Sequence, residues 1–126
     1  MKILRSDLGR YVEELYKSRD VKDEKFAYAL QKNFAKVYSV YSETFVKIGR
    51  CDGVEEYLAE KGKLDISSED ELKDLNIRMF DQYEKVEEWG RNRRDVLGEE
   101  VEIDFFKCKL PEGVNKMALN FMDNDI

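Results

Sequence analysis

The sequence predicts a mainly α-helical protein: an antiparallel hairpin of two long helices, with a short amino-terminal helix and a small carboxyl-terminal strand–helix extension. Three observations predict it. Ala27, Leu30, Phe34, Val37, Tyr41, Thr44 and Ile48 recur in steps of three and four, the spacing that keeps one side of a helix apolar. Leu72, Leu75, Met79, Tyr83 and Val86 repeat that pattern further along. A single proline and seven glycines in 126 residues suit a chain with little loop. The two apolar faces are expected to seal against each other in one domain, residues 1–98 forming the helical core and 99–126 the extension.

Each element has its own local signal. Ser6 is placed to cap a first helix on which Leu8, Tyr11, Val12, Leu15 and Tyr16 share a side, and Arg19 to Asp23 reads as the turn out of it. The second helix is expected from about Asp23 to Ile48, with Gly49 as a left-handed terminator. Val54, Tyr57 and Leu58 mark a short third helix stopped by Gly62. Ser68-Glu69-Asp70-Glu71 has the spacing of a capping box, in which serine and glutamate satisfy each other's free amides. The helix that follows is expected to continue unbroken to Leu97, before Gly98. Val101, Ile103 and Phe105 then alternate with acids in the two-residue period of a strand. The alternation slips at Phe105-Phe106, which implies a bulge or a strand buried on both faces. Its partner is to be found around Lys63 to Ile66, in the first few residues, or in another chain. Val114, Met117, Ala118, Phe121 and Met122 predict a last short helix, with Asp123 to Ile126 frayed.

Composition narrows the function classes. Apolar residues make up 42% and fifteen residues are aromatic, enough for a core despite 40% charged residues. No run approaches the ~20 apolar residues needed to cross a bilayer, and charge comes too early after Met1 for a secretory signal. A cytoplasmic protein is therefore expected, with Cys51 and Cys108 as reduced thiols or, alternatively, a disulfide pair. The net charge of −6 is uneven: residues 1–50 balance at +4 and residues 51–126 at −10.

The charges fall into rows. Lys22, Lys25, Lys32, Lys36 and Lys47 share one sector of the second helix at 100° per residue. Asp70, Asp74, Asp81, Glu84 and Glu88 align on the fourth, with Ile77 in their midst. Such rows are commonly just solvated outer faces. Read functionally, Ile77 is an apolar anchor within a polar rim, the anatomy of a protein-binding patch. The opposite signs also allow a homo-oligomer in which one chain's lysines meet another's acids. Tyr28 beside the lysines offers a stacking group for nucleic acid, although the chain is acidic overall and lacks a nucleic-acid-reading motif.

Catalytic signals are weak. There is no histidine, the usual general acid–base near neutral pH. The aligned carboxylates face away from the apolar side, where nothing separates their pKa values. Asp65 to Glu71 resembles the opening of a calcium loop but lacks the glycine at its sixth position, and Asn76 stands where the bidentate acid belongs. Asp104 with Lys107-Cys108-Lys109 lacks the second acid of a metal-dependent nuclease strand. The sequence thus predicts no enzyme, no cofactor and no metal.

Lys25-Phe26-Ala27-Tyr28-Ala29-Leu30-Gln31-Lys32-Asn33, leading into a long helix, resembles a group of small tailed-bacteriophage proteins of unknown function. There a K-x-A-Y-x-x-x-K-N motif opens one long helix, a second follows, and a V-E-V-D-like strand comes next, as Val101-Glu102-Ile103-Asp104 does here. The resemblance implies a phage origin and carries no activity. Together these features lead to an expected function: a non-enzymatic protein-binding module, probing a host factor or a virion component in the host cytoplasm. The alternatives are an anti-CRISPR-like inhibitor of a bacterial defence system, or a nucleic-acid-binding accessory protein using the lysine row.

Overall fold

The computed structural model describes residues 1–65 and 67–124. Expectations placed on Ile66, Asp125 and Ile126 lie outside the described residues; of the end expected to fray, Asp123 and Asn124 are instead tied to Cys108, Asp123 by a bridge and Asn124 by donating its amide to the Cys108 carbonyl at 3.0 Å. The chain is mainly helical. Strand β1 (Lys2–Leu4) is followed by a 3-10 turn (Arg5–Asp7), then α1 (Leu8–Lys17), α2 (Glu24–Ile48), α3 (Glu55–Gly62), α4 (Glu69–Arg78), α5 (Phe80–Leu97), β2 (Glu100–Glu102) and a second 3-10 turn (Asn120–Met122). It divides into two compact units, one of residues 1–47 with 97–126 and one of residues 48–96.

In the first unit, β2 pairs antiparallel with β1, Ile3 opposite Val101. The first few residues are therefore the partner of the lone strand. Helix α1 begins after Asp7 rather than at a Ser6 cap. Asp23 caps α2 by accepting the Phe26 amide proton at 2.9 Å, and Gly49 ends it at φ +71°. Leu8 and Leu15 of α1, Phe26, Ala29, Leu30 and Val37 of α2, and Ile103, Phe105, Cys108, Leu110, Leu119, Phe121 and Met122 close one core. The buried arc of α2 is thus turned from the expected stripe. Ala29 and Asn33 go fully inside, whereas Ala27, Phe34 and Tyr41 are only half-buried. The carboxyl-terminal segment, packing on that side, causes the turn.

Two expectations for this segment are corrected. Beyond Glu102 the chain is extended without a regular ladder, tied by an isolated parallel bridge between Cys108 and Asp123. Ile103 and Phe105 point inward, Phe106 and Lys107 are both exposed, and Cys108 and Leu110 point inward again. One extra outward residue shifts the parity, as in a bulge. Residues 114–122 form turns and a 3-10 segment instead of an α-helix.

Arg5 fastens the strands to α2. Almost buried at 7% exposure, its guanidinium donates to Thr44 Oγ1 at 3.0 Å, Glu43 Oε1 at 3.2 Å and Glu99 Oε2 at 3.1 Å. Lysine carries the charge but not the planar fork, so Arg5→Lys is expected to lower stability by about 1–3 kcal/mol, measured by chemical denaturation. The Glu99 carboxyl is held below its ordinary value, first by the hydrogen bond from Lys47 and then by Arg5. A depressed carboxylate stabilises the fold above its unfolded pKa, and that stability is lost as pH falls through the folded value. The denaturation midpoint should therefore decline below about pH 4.5, and Lys47→Met should flatten that decline.

In the second unit, Ser68 accepts the Glu71 amide proton at 3.4 Å and caps α4, one half of the expected box. The expected continuous helix is interrupted at Met79 (φ −116°, ψ 44°). Neither proline nor glycine lies at the break. Instead, Tyr57 of α3 donates from its hydroxyl to Asn76 Oδ1 in α4 at 2.6 Å and from its amide to Gln82 Oε1 in α5 at 2.9 Å. Tyr57 thus engages the chain on both sides of Met79, where the local sequence favours an unbroken helix. Leu75 is fully buried, and Leu72, Met79, Tyr83 and Val86 are half-buried.

Candidate functional site

The acidic row lies in the second unit and is split by the break. Asp70, Asp74 and Ile77 stand at i, i+4 and i+7 on α4, while Asp81, Glu84 and Glu88 stand at i, i+3 and i+7 on α5. All six are exposed. Asp74 accepts from Arg78 Nε at 3.1 Å, so one carboxylate of the row is paired inside its own helix. Ile77 is 75% exposed, and Phe80, just past the break, is 55% exposed. Sequence reading missed Phe80, although at i+3 from Ile77 the helical count already places it near the same face.

The lysine row is less uniform than the helical count implies. Lys22 precedes α2, so it lies outside the helix and its sector. Lys36 donates to the Asp104 carbonyl, and Lys47 pairs with Glu99 at 2.8 Å. Lys32 stands 5.4 Å from the centre of the Tyr28 ring, a cation–π contact. These engagements leave few lysines for meeting an acidic row in another copy.

Lys25 has a different setting. Together with Tyr28, Phe106, Lys107, Lys109 and Lys116 it lines a cleft of about 930 Å³. Tyr28 and Phe106 meet edge to face, ring centres 5.3 Å apart. Asn33 holds the Phe106 peptide in place: its amide donates to the Phe106 carbonyl at 2.9 Å and its oxygen accepts the Phe106 N–H at 2.7 Å. The sequence signal for this convergence was thin, since residues 25–33 and 106–116 are far apart in the chain.

A second exposed feature of α2 also escaped the sequence reading. Phe34, Tyr38, Tyr41 and Phe45 form a ladder of rings with successive centres 5.5, 6.3 and 4.9 Å apart. Tyr38 and Phe45 are about half exposed.

Cys51 and Cys108 are both free. Cys51 is half-buried, and its thiol faces the Lys85 carbonyl at 3.8 Å. Burial, followed by Asp23 and Asp123, pushes the Cys108 thiol above its ordinary value and keeps it protonated. Among the described residues, no three cysteine or carboxylate side chains stand close enough to hold a metal ion, and no helix is long and apolar enough to cross a membrane. No protein family, curated protein or solved structure matches the chain.

Proposed function

We propose that the chain is a non-enzymatic protein-binding module that docks its α4–α5 face onto a basic protein surface. The observation that carries this reading is the exposure of both Ile77 and Phe80, with carboxylates before and after them along both helices. Large apolar side chains in water lose the free energy of burial, about 1.5–3 kcal/mol each when fully covered. The surrounding acids set the chemistry of the partner. They favour a cationic rim around an apolar socket, speed encounter, and repel nucleic acid. The resemblance to phage proteins supplies the setting: a host factor, such as an effector of a defence system, or a virion component.

The test begins by capturing a partner and purifying it, then titrating it calorimetrically. Ile77→Asp is expected to weaken binding by roughly 10- to 100-fold, while stability stays within about 0.5 kcal/mol because the site is exposed. Glu84→Lys with Glu88→Lys should slow association and weaken its salt dependence. Equal affinity of the folded Ile77→Asp protein and the parent would remove the anchor, and with it this reading.

A further inference from the structure

The cleft in the first unit is built by the same short run that the sequence singles out. Lys25 and Tyr28 line it, Lys32 lies over the Tyr28 ring, and Asn33 fixes the peptide of Phe106, whose ring also lines the cleft and meets Tyr28 edge to face. The segment after β2 contributes Lys107 and Lys109, which are exposed while Cys108 and Leu110 are buried. Two aromatic rings, 52% and 42% exposed, thus stand among ammonium groups from two distant parts of the chain. Burial would normally hide such rings, and a purely solvated lysine face would not need them.

We propose that this cleft binds a short stretch of single-stranded nucleic acid, with a base against Tyr28 and Phe106 and its phosphates on Lys25, Lys109 and Lys116. The volume lies at the upper end of the range of small-ligand sites, about 300–1,000 Å³, which accommodates a base with its sugar and phosphate. Aromatic stacking tolerates any base, and lysines follow a phosphate backbone without reading sequence. Lys107 is partly committed, since its ammonium donates to the Phe121 carbonyl. Three acids share the lining, Asp23, Glu24 and Glu112. The Asp23 carboxylate is occupied in capping α2, and the other two moderate the positive potential, so binding is expected to be salt-sensitive. The rings decide between polymers: an acidic peptide would use the lysines but leave the exposed parts of both rings without a planar partner. This site lies in residues 1–47 and 97–126, apart in the chain from the acidic face, and its failure leaves the protein-docking reading untouched.

The experiment is fluorescence anisotropy of labelled oligo-dT and oligo-U twelve-mers (about the single-strand site size) with the full chain, over a salt series. Binding at low salt that falls as salt rises is expected. Tyr28→Ala should weaken it about 5- to 100-fold, whereas Tyr28→Phe should restore it, because stacking needs the ring and not the hydroxyl. Lys109→Ala should lower the slope of log affinity against log salt by about one. Lys73→Ala, on exposed α4, should leave the slope unchanged. No binding at low salt, Tyr28→Ala binding as well as the parent, or poly-glutamate binding as tightly as the oligonucleotides would each overturn the proposal. Lys109 is exposed, and neither its side chain nor its backbone has a hydrogen-bond partner among the described residues. The slope measurement therefore remains decisive even if Tyr28→Ala perturbs the wall.

Discussion

Asn33→Leu is expected to destabilise the first unit by about 2–4 kcal/mol. The side chain is fully buried and serves both polar groups of one peptide, accepting from Phe106 N–H at 2.7 Å and donating to Phe106 C=O at 2.9 Å. Its amide also approaches Met122 Sδ at 3.7 Å. Leucine has nearly the same volume, so packing loss is small. The cost comes from two backbone groups left without a partner, at about 1–3 kcal/mol each when shielded from water, less whatever solvent reaches the half-exposed Phe106. Asn33→Asp separates the two halves of the clamp. It can still accept from Phe106 N–H, but its carboxylate faces the Phe106 carbonyl with no proton to give, so it too should destabilise the fold at neutral pH and recover as pH falls. Chemical denaturation gives the free energies, and amide exchange at Phe106 and Cys108 locates the loss. A change under about 1 kcal/mol for Asn33→Leu would mean that the bulge is held by its flanking residues instead.

That clamp marks where sequence reading stops. Boundaries set by local chemistry were legible: Asp23 and Gly49 delimit α2, and Ser68 opens α4, because a cap needs only its own few residues. The pairing of the lone strand with the first residues was one of three options, since alternation reveals a strand but not its neighbour. The carboxyl-terminal helix failed for a geometric reason. Leu119, Phe121 and Met122 are all buried, yet residues two apart lie about 200° around a helix from each other. A regular helix cannot turn Leu119 and Phe121 to one core, whereas turns ending in a 3-10 segment can. Met117, counted as part of the helical face, is 88% exposed. The rows of the candidate site met a similar limit. Counting at 100° per residue put the acids and Ile77 outside, as they are, but could not see the break at Met79 that divides the row between two helices. Nor could it bring Lys109 and Lys116 to Lys25, because long-range convergence has no local signature.

Tyr57→Ala is expected to be the most damaging change in the second unit, at about 3–5 kcal/mol, the range for removing a buried aromatic side chain. The residue is 1% exposed, lies 6.2 Å from Tyr83 ring to ring, and reaches both sides of the α4–α5 break through Asn76 and Gln82. The Gln82 contact matters for a second reason. Val54 precedes α3 without supplying a side-chain cap, so Gln82 satisfies one of the first-turn amides that a helix leaves without a partner. Tyr57→Phe isolates the hydroxyl. It keeps the ring, leaves Asn76 Oδ1 without its donor, and should cost about 0.5–1.5 kcal/mol. Burial, with smaller contributions from Tyr83 and Glu87, pushes the Tyr57 phenol above its ordinary value of 10.0. A raised phenol stabilises the fold below the unfolded pKa, and that stability is lost as pH rises through the folded value. The parent should therefore weaken above about pH 10, and Tyr57→Phe should weaken less steeply there. Amide exchange over residues 55–62 and 80–97 reads the outcome. Faster exchange in α3 and on both sides of Met79 is expected for Tyr57→Ala; a loss confined to α3 would mean that the bend at Met79 is held without it.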